Sequence, residues 1–443
     1  MRLAIATITA FVFTALAGAA GGDLLWLDQV DRAAGFDTAI AVTTGTDRVY
    51  SAGLVTTLLG DTDFVVRANE LSSGRLLWED TYDQAGSNDA ATSVVASGGI
   101  VFAAGSVVSP AGNLDFFARA YDEATGAVAW QDQVDRTGGR DVAVAVASSV
   151  GRFYAAGFVT EAFGNRDFLI RAYDAKTGVV QWENQLDLAG FKDQATLGSM
   201  IVSGGRIFVG GLATNLSGGE DLLLMSYDTQ TGQLVWQQVF DSGGFDAAKS
   251  ITARWGRLFV AGYQADPSNY TRFTIRAYDA QTGVLVWENH DASSGPGFDY
   301  ANGVVTSNGR VYAAGFGTSL SGKQVYLVRA YNASSGQLLW EDAADKGGSF
   351  DYATSIATSR DRVYTAGSGG AGCGAYPVSN CGMLLRSYEG KSGRLLWEDA
   401  ADLPYGDDLA KALVLQSQKL VAIGYVTNAL GDQDYAVRVV EAD

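Results

Sequence analysis

Histidine occurs once in 443 residues, at position 290, cysteine twice and proline five times. With two thiols and one imidazole, a structural zinc site of the usual Cys/His kind cannot be assembled. Neither G-x-S-x-G nor H-E-x-x-H occurs, so the common hydrolase and metalloprotease signatures are absent. Basic residues are also scarce: Lys and Arg number 31 against 49 Asp and Glu, a net charge of −18. That balance argues against nucleic acid and against anionic membrane surfaces, both of which require basic patches. No stretch beyond the N-terminus keeps a helical period, and no later run is long and apolar enough to span a bilayer.

The first twenty residues, MRLAIATITAFVFTALAGAA, join an early arginine, an apolar run and small residues with A-x-A options, the pattern of a cleaved secretory signal. Residues 21–443 are then a single exported domain, periplasmic or extracellular, without a membrane span after cleavage. In that compartment Cys373 and Cys381 are expected to form a disulfide, worth about 2 to 3 kcal/mol by loop closure.

What is present is repetition. Eight tryptophans, Trp26, Trp78, Trp130, Trp182, Trp236, Trp287, Trp340 and Trp397, are spaced by 51 to 57 residues, and Trp255 alone lies outside the series. Each interval holds four strand-like runs, here called A to D; in the third unit they are VAVAVASS, RFYAAGF, DFLIRAYD and VVQWEN. This suits a propeller blade better than a helical solenoid. The chain opens on an isolated D run, LLWLDQV, and closes on A, B and C runs without a D. Pairing the two fragments completes a ring of eight four-stranded antiparallel blades, an all-β eight-bladed propeller with no open edge at the join.

The segments Ala120–Trp130, Ala172–Trp182 and Ala277–Trp287 read A-x-D-x-x-T-G-x-x-x-W. This resembles the tryptophan-docking motif of the PQQ-like (quinoprotein-type) propeller family, and the resemblance covers essentially all of the mature chain. Asp174 and Thr177 can bond the turn, Gly178 permits positive φ and Trp182 packs between blades, so the eight series tryptophans are read as scaffold. The family implies two functions. One is non-enzymatic scaffolding, as in the lipid-anchored propeller component of the outer-membrane barrel-assembly machinery, although no anchor cysteine occurs here. The other is dehydrogenation with pyrroloquinoline quinone (PQQ) held by calcium; against it, the sequence lacks adjacent cysteines and a C-x-x-C-H haem site.

Departures from the repeat gather on the D-to-A and B-to-C connections, which share one face. All five prolines and the insertion bearing the cysteines fall there, while two extra residues in the fourth unit are assigned to its A-to-B turn on the opposite face. An aspartate precedes every A strand (Asp37, Asp89, Asp141, Asp193, Asp246, Asp299, Asp351, Asp408), to bond turn amides or to pair with the C-strand arginines. A second aspartate opens strand C in five contiguous units, at Asp63, Asp115, Asp167, Asp221 and Asp434.

The three exceptional units supply the candidate ligand site: Arg272, His290, Asp299, Tyr300, Asp351, Tyr352 and Tyr376. Aromatic rings beside carboxylates at a channel mouth suit a saccharide-like ligand or a protein partner. Asp61, Asp63, Asp432 and Asp434 are candidate calcium ligands. The expectation is a monomeric, exported binding or scaffold protein without a cofactor, with the PQQ- and calcium-dependent dehydrogenase as the alternative.

Overall fold

Short β-branched and aromatic runs bounded by glycine and aspartate turns become strands throughout. The computed structural model describes residues 20–443 other than 34, 162–163, 189–192, 216–218, 267, 269, 291–296, 375–378 and 402–404; it contains 32 β-strands and, among the described residues, no α-helix. Residues 1–19 of the expected signal, Tyr376 and four of the prolines (Pro267, Pro296, Pro377, Pro404) lie outside the described residues.

The strands form eight four-stranded antiparallel sheets. In blade 3 the order follows the chain: β10 (Val142–Ser149), β11 (Arg152–Thr160), β12 (Arg166–Asp174) and β13 (Val180–Leu186). Strand A of each blade touches strand A of its neighbours, so these strands line the central channel and strand D forms the outer rim. Closure is as expected: β1 (Leu24–Val30) pairs with β32 (Gln433–Glu441), beyond β31 (Lys419–Thr427) and β30 (Leu409–Gln416).

Each blade is fastened to the next by its tryptophan. The Trp182 indole N–H donates to the Thr229 carbonyl of blade 4 at 3.2 Å, and Trp130 to Ala175 of blade 3 at 3.0 Å. The rest of the series repeats the bond: Trp26 donates to Leu71 (3.0 Å), Trp78 to Glu123 (3.1 Å), Trp236 to Ala280 (3.1 Å), Trp287 to Ala333 (3.0 Å), Trp340 to Gly390 (3.0 Å) and Trp397 to Ala442 (3.2 Å), always at a backbone carbonyl. The acceptor turn is built by the motif. Asp174 Oδ1 accepts the Thr177 N–H at 2.9 Å and its hydroxyl at 2.8 Å, and Gly178 follows at φ 72°. A Cβ on Gly178 would lie 2.5 Å from the Trp130 ring, so the indole lies flat against bare backbone.

A second fastening uses charge. Arg171 of strand C bonds Asp132 on the preceding blade's outer strand at 2.6 Å and Glu183 on its own, and the Tyr173 hydroxyl donates to the same Asp132 at 2.8 Å. Arg386 repeats this with Asp342 (2.6 Å) and Glu398 (2.9 Å), as does the buried Arg67 with Asp28 (2.9 Å) and Glu79. These arginines therefore pair with acids one and two residues past the tryptophan, not with the aspartates before strand A.

Two length changes resolve differently. The extra residues of the fourth unit do not lengthen its A-to-B turn. They enlarge the bulge inside β14 (Asp193–Ser203), where the register passes from Ala195 directly to Met200, in the channel wall. A tight hairpin admits no spare residues, whereas an innermost strand already carrying a bulge in every blade accommodates them. The insertion of the seventh unit stays in its B-to-C connection, closed by the Cys373–Cys381 disulfide with Cα atoms 4.3 Å apart.

Gly178→Ala and Gly151→Ala separate conformation from docking. Gly151 has nearly the same φ, 73°, with nothing within 4 Å of an added methyl, so its substitution should cost about 1 kcal/mol for the left-handed backbone. Gly178→Ala should cost about 1 to 3 kcal/mol more, because the methyl displaces Trp130. Urea denaturation of both variants checks this; equal losses would show that the indole contact contributes little.

Candidate functional site

The eight aspartates before strand A are at most 1% exposed. Asp141 accepts the Arg136 N–H at 2.7 Å with one oxygen and the Thr160 N–H at 2.6 Å with the other, tying the D-to-A connection to the end of strand B. Asp351 holds Lys346 N (2.7 Å) and Gly370 N (3.0 Å) in the same way, and Asp299 holds Thr318 N at 2.6 Å. As pillars of the loops, Asp299 and Asp351 carry the candidate site without presenting a free carboxylate to it.

The second aspartates gather into small acidic groups. Burial first, then neighbouring carboxylates, push up Asp89 (beside Asp83 and Asp63), Asp193 (beside Asp187 and Asp167) and Asp221 (beside Asp241), each to about 6. Asp434 is also pushed up to about 6, by burial and by Asp31. Asp61, Asp63, Asp432 and Asp434 do not form one cluster: Asp63 faces Asp83 and Asp61, whereas Asp434 is held by Gln29 (2.6 Å) and Asn428 (2.9 Å). Among the described residues, the group of three carboxylates whose oxygens all lie within 4.8 Å of one another is Asp221, Asp241 and Asp246.

The other half of the mouth is aromatic. Tyr300 stacks on Tyr263 at 4.3 Å and packs against Phe316 at 4.9 Å, which meets Tyr352 at 6.4 Å. Farther round, Phe36 and Tyr425 lie 5.9 Å apart, and the Lys411 ammonium sits over both rings at 5.5 and 5.7 Å. Burial pushes Lys411 down to about 8 and Tyr263 and Tyr425 up to about 12. Tyr300 and Tyr352 thus join one belt through Phe316. His290 does not: it follows the outer strand, half exposed, with Nδ1 3.1 Å from Glu288. Arg272 is engaged by Asp266.

Sequence reasoning passes over the residues directly before the pillar aspartates. They are Phe36, Asn88, Arg140, Lys192, Phe245, Phe298, Phe350 and Asp407. The four phenylalanines are 44–53% exposed at the mouth. Aligning the units on the aspartate rather than on the tryptophan displays them. Lys411 is equally visible as the bulge residue of its strand, a place held by Thr92, Thr196 and Thr354 in other blades, whose hydroxyls bond the neighbouring A strand.

Among the described residues, the group of carboxylates close enough together to hold a calcium ion is Asp221, Asp241 and Asp246. The pillar carboxylates are engaged by backbone amides, Asp246 for example by Ser242 N and Ala265 N, and the aromatic half offers tyrosine, phenylalanine and lysine. A cavity of about 370 Å³ lies at the opposite end of the channel; it is lined by Thr252, Thr306, Thr358 and apolar residues, with Arg254 its one charged group.

Two pH effects follow. The four aspartates at about 6 sit above the ordinary 3.8, so protonation favours the fold: their stabilising effect is complete below pH 4 and lost as pH rises through 6. The melting temperature should rise as pH falls from 7.5 to 5, and Asp221→Asn should flatten that rise; a fall in wild-type melting temperature over this range would contradict it. For Lys411, NMR titration of the methylated protein should show a midpoint near 8 that moves upward in Phe36→Ala, as water reaches the amine.

The model of the family described as outer membrane protein assembly factor BamB matches residues 166–380 and, overlapping, 271–440. No curated protein matches the sequence. Among solved structures, BamB from Moraxella catarrhalis superposes with a TM-score of 0.52 at 16% identity, covering 94% of this chain and 97% of that one. The quinohemoprotein alcohol dehydrogenase ADHIIG of Pseudomonas putida HK5 gives 0.57 at 14% identity over 95% and 76% of the two chains, and a europium-containing methanol dehydrogenase 0.57 at 11% over 94% and 93%. At these identities the likeness establishes the fold, which enzymes and an assembly factor share. Because the family model spans more than half of its length, the chain belongs to the PQQ-type repeat propellers described as outer membrane protein assembly factor BamB.

Proposed function

We propose that this is an exported, non-enzymatic binding protein that docks a protein partner on the face bearing the D-to-A and B-to-C connections. The observation that carries the reading is where exposed apolar side chains collect. Besides the four phenylalanines, Leu58, Leu59, Leu320 and Leu430 are 81–88% exposed at B-to-C loop tips of the same face. Water-facing leucines at loop tips gain nothing in the isolated chain, and an apolar patch of this kind marks a contact surface. On the same face, Tyr263, Tyr300, Phe316 and Tyr352 are packed ring against ring, which favours a surface already ordered before the partner arrives. Export rests on the N-terminal sequence, and the non-enzymatic reading on the engaged carboxylates, the single histidine and the paired cysteines.

Photo-crosslinking from residues 59 and 320 should capture a discrete partner that crosslinking from Val150, fully exposed on the opposite face, does not. Joint replacement Phe298→Ser and Phe350→Ser should weaken that complex by at least about tenfold, since exposed rings at the centre of a surface dominate binding. Capture from both faces alike would refute the assignment of the face. Calcium-dependent binding of PQQ in calorimetric titration would replace the reading with that of a dehydrogenase.

A further inference from the structure

Seven of the eight outer strands carry a carboxylate one or two residues past the tryptophan: Asp28, Glu79 and Asp80, Asp132, Glu183, Glu288, Glu341 and Asp342, Glu398 and Asp399. Blade 4 does not. Its outer strand β17 (Leu234–Phe240, LVWQQVF) has Gln237 and Gln238 there and no charge anywhere. The matching arginine is missing as well, for Met225 stands opposite Gln237. Arg276 of blade 5, which would meet the acid, lies over the Phe240 ring instead, 3.3 Å away. Arg276 keeps Glu288 of its own blade at 2.7 Å, but its bond to the preceding blade has been replaced by uncharged residues.

The replacement leaves an unguarded edge. Strand β17 ends its sheet, and among the described residues no strand pairs with its outer side. Leu234, Val235 and Val239 are 36%, 38% and 47% exposed. The flanking rims continue the patch, with Val179 and Val180 in blade 3 and Val284, Leu285 and Val286 in blade 5 all exposed. The other five outer rims expose at most one large apolar residue each. Edge strands are ordinarily blunted by charge, and this one is not.

We propose that β17 is a self-association edge, with two copies pairing β17 against β17 in antiparallel register about Gln237, contrary to the monomer expected from sequence. The strand is nearly palindromic about that residue. Gln237 then faces Gln237 and Trp236 faces Gln238, while Val239 meets the bulge formed by Leu234 and Val235, so apolar residues flank the glutamine pair on both sides. The same register at five other blades would set Glu79, Glu183, Glu288, Glu341 or Glu398 against its own copy, and the remaining two would bring Asp28 or Asp132 to the join. In a chain of net charge −18, a second copy is repelled over most of the surface. Blade 4 is where that repulsion is lowest, and its exposed apolar rim runs on into those of blades 3 and 5. This surface lies on the circumference, apart from the face assigned to a partner, so either assignment stands or falls alone.

Sedimentation velocity of the mature protein from about 1 to 200 µM should show a reversible dimer, with Kd on the order of 10 µM for so small an edge. Gln237→Glu restores the residue found at this point in five other blades and puts like charges face to face; it should weaken association at least tenfold with an unchanged melting curve. Val239→Lys should do the same. Gln237→Cys should give a disulfide-linked dimer on mild oxidation, and Glu183→Cys in blade 3 should not, the native cysteines being already paired. A monomer throughout the range, or a dimer indifferent to Gln237→Glu and not cross-linked through Cys at 237, would overturn the proposal.

Discussion

The molecule depends on a flat indole lying against a glycine of the next blade. A bare backbone at φ near 72° is needed for the ring to approach, and the carbonyl beside it takes the indole proton, so one residue pair supplies both the contact area and the bond that fixes its direction. Repeated seven times, with Trp397 resting on Gly21 and Gly22 at the eighth join, it sets the angle between sheets and leaves the innermost strands around a channel. The arginine clasps reinforce it outside, where Arg67, Arg119, Arg171, Arg386 and Arg438 each hold an acid from the preceding blade. Because blades contact chiefly their neighbours, stability is approximately a sum of local terms.

Much of this was legible in the sequence because it recurs. A tryptophan spacing near 52 residues, a recurring turn and an orphan D run at one end determine the number of blades and the way the ring closes. The acids past the tryptophan are equally periodic but do not announce their pairing with the C-strand arginines, since partners that belong to adjacent blades are far apart along the chain and nothing local links them. The two added residues of blade 4 escape correct placement for a related reason: sequence length between two landmarks does not say whether a turn or a strand absorbs it.

The mouth was legible in part. Tyr300 and Tyr352 stand out by position, and they do sit in one aromatic belt. His290 stands out by rarity of type and Arg272 by replacing the aspartate that opens strand C, and each is engaged by a carboxylate of its own. Rarity in composition carries no direction in space, whereas position within a repeat does. The half-exposed phenylalanines are hidden by the abundance of phenylalanine here, and only the register of each unit shows that four of them share one ring of positions.

Closure by β1 also has a kinetic side. Gln29 bonds Asp434 across 405 residues, and Trp397 docks onto a turn made jointly from Gly21, Gly22 and Ala442. Seven blades are hairpin-built and can form from nearby chain, but the eighth awaits both termini, and loop closure over that length is the slowest of the contacts to be made. The ring therefore behaves as a clasp shut last and opened first. A chain still being synthesised would hold its earlier blades in an open arc.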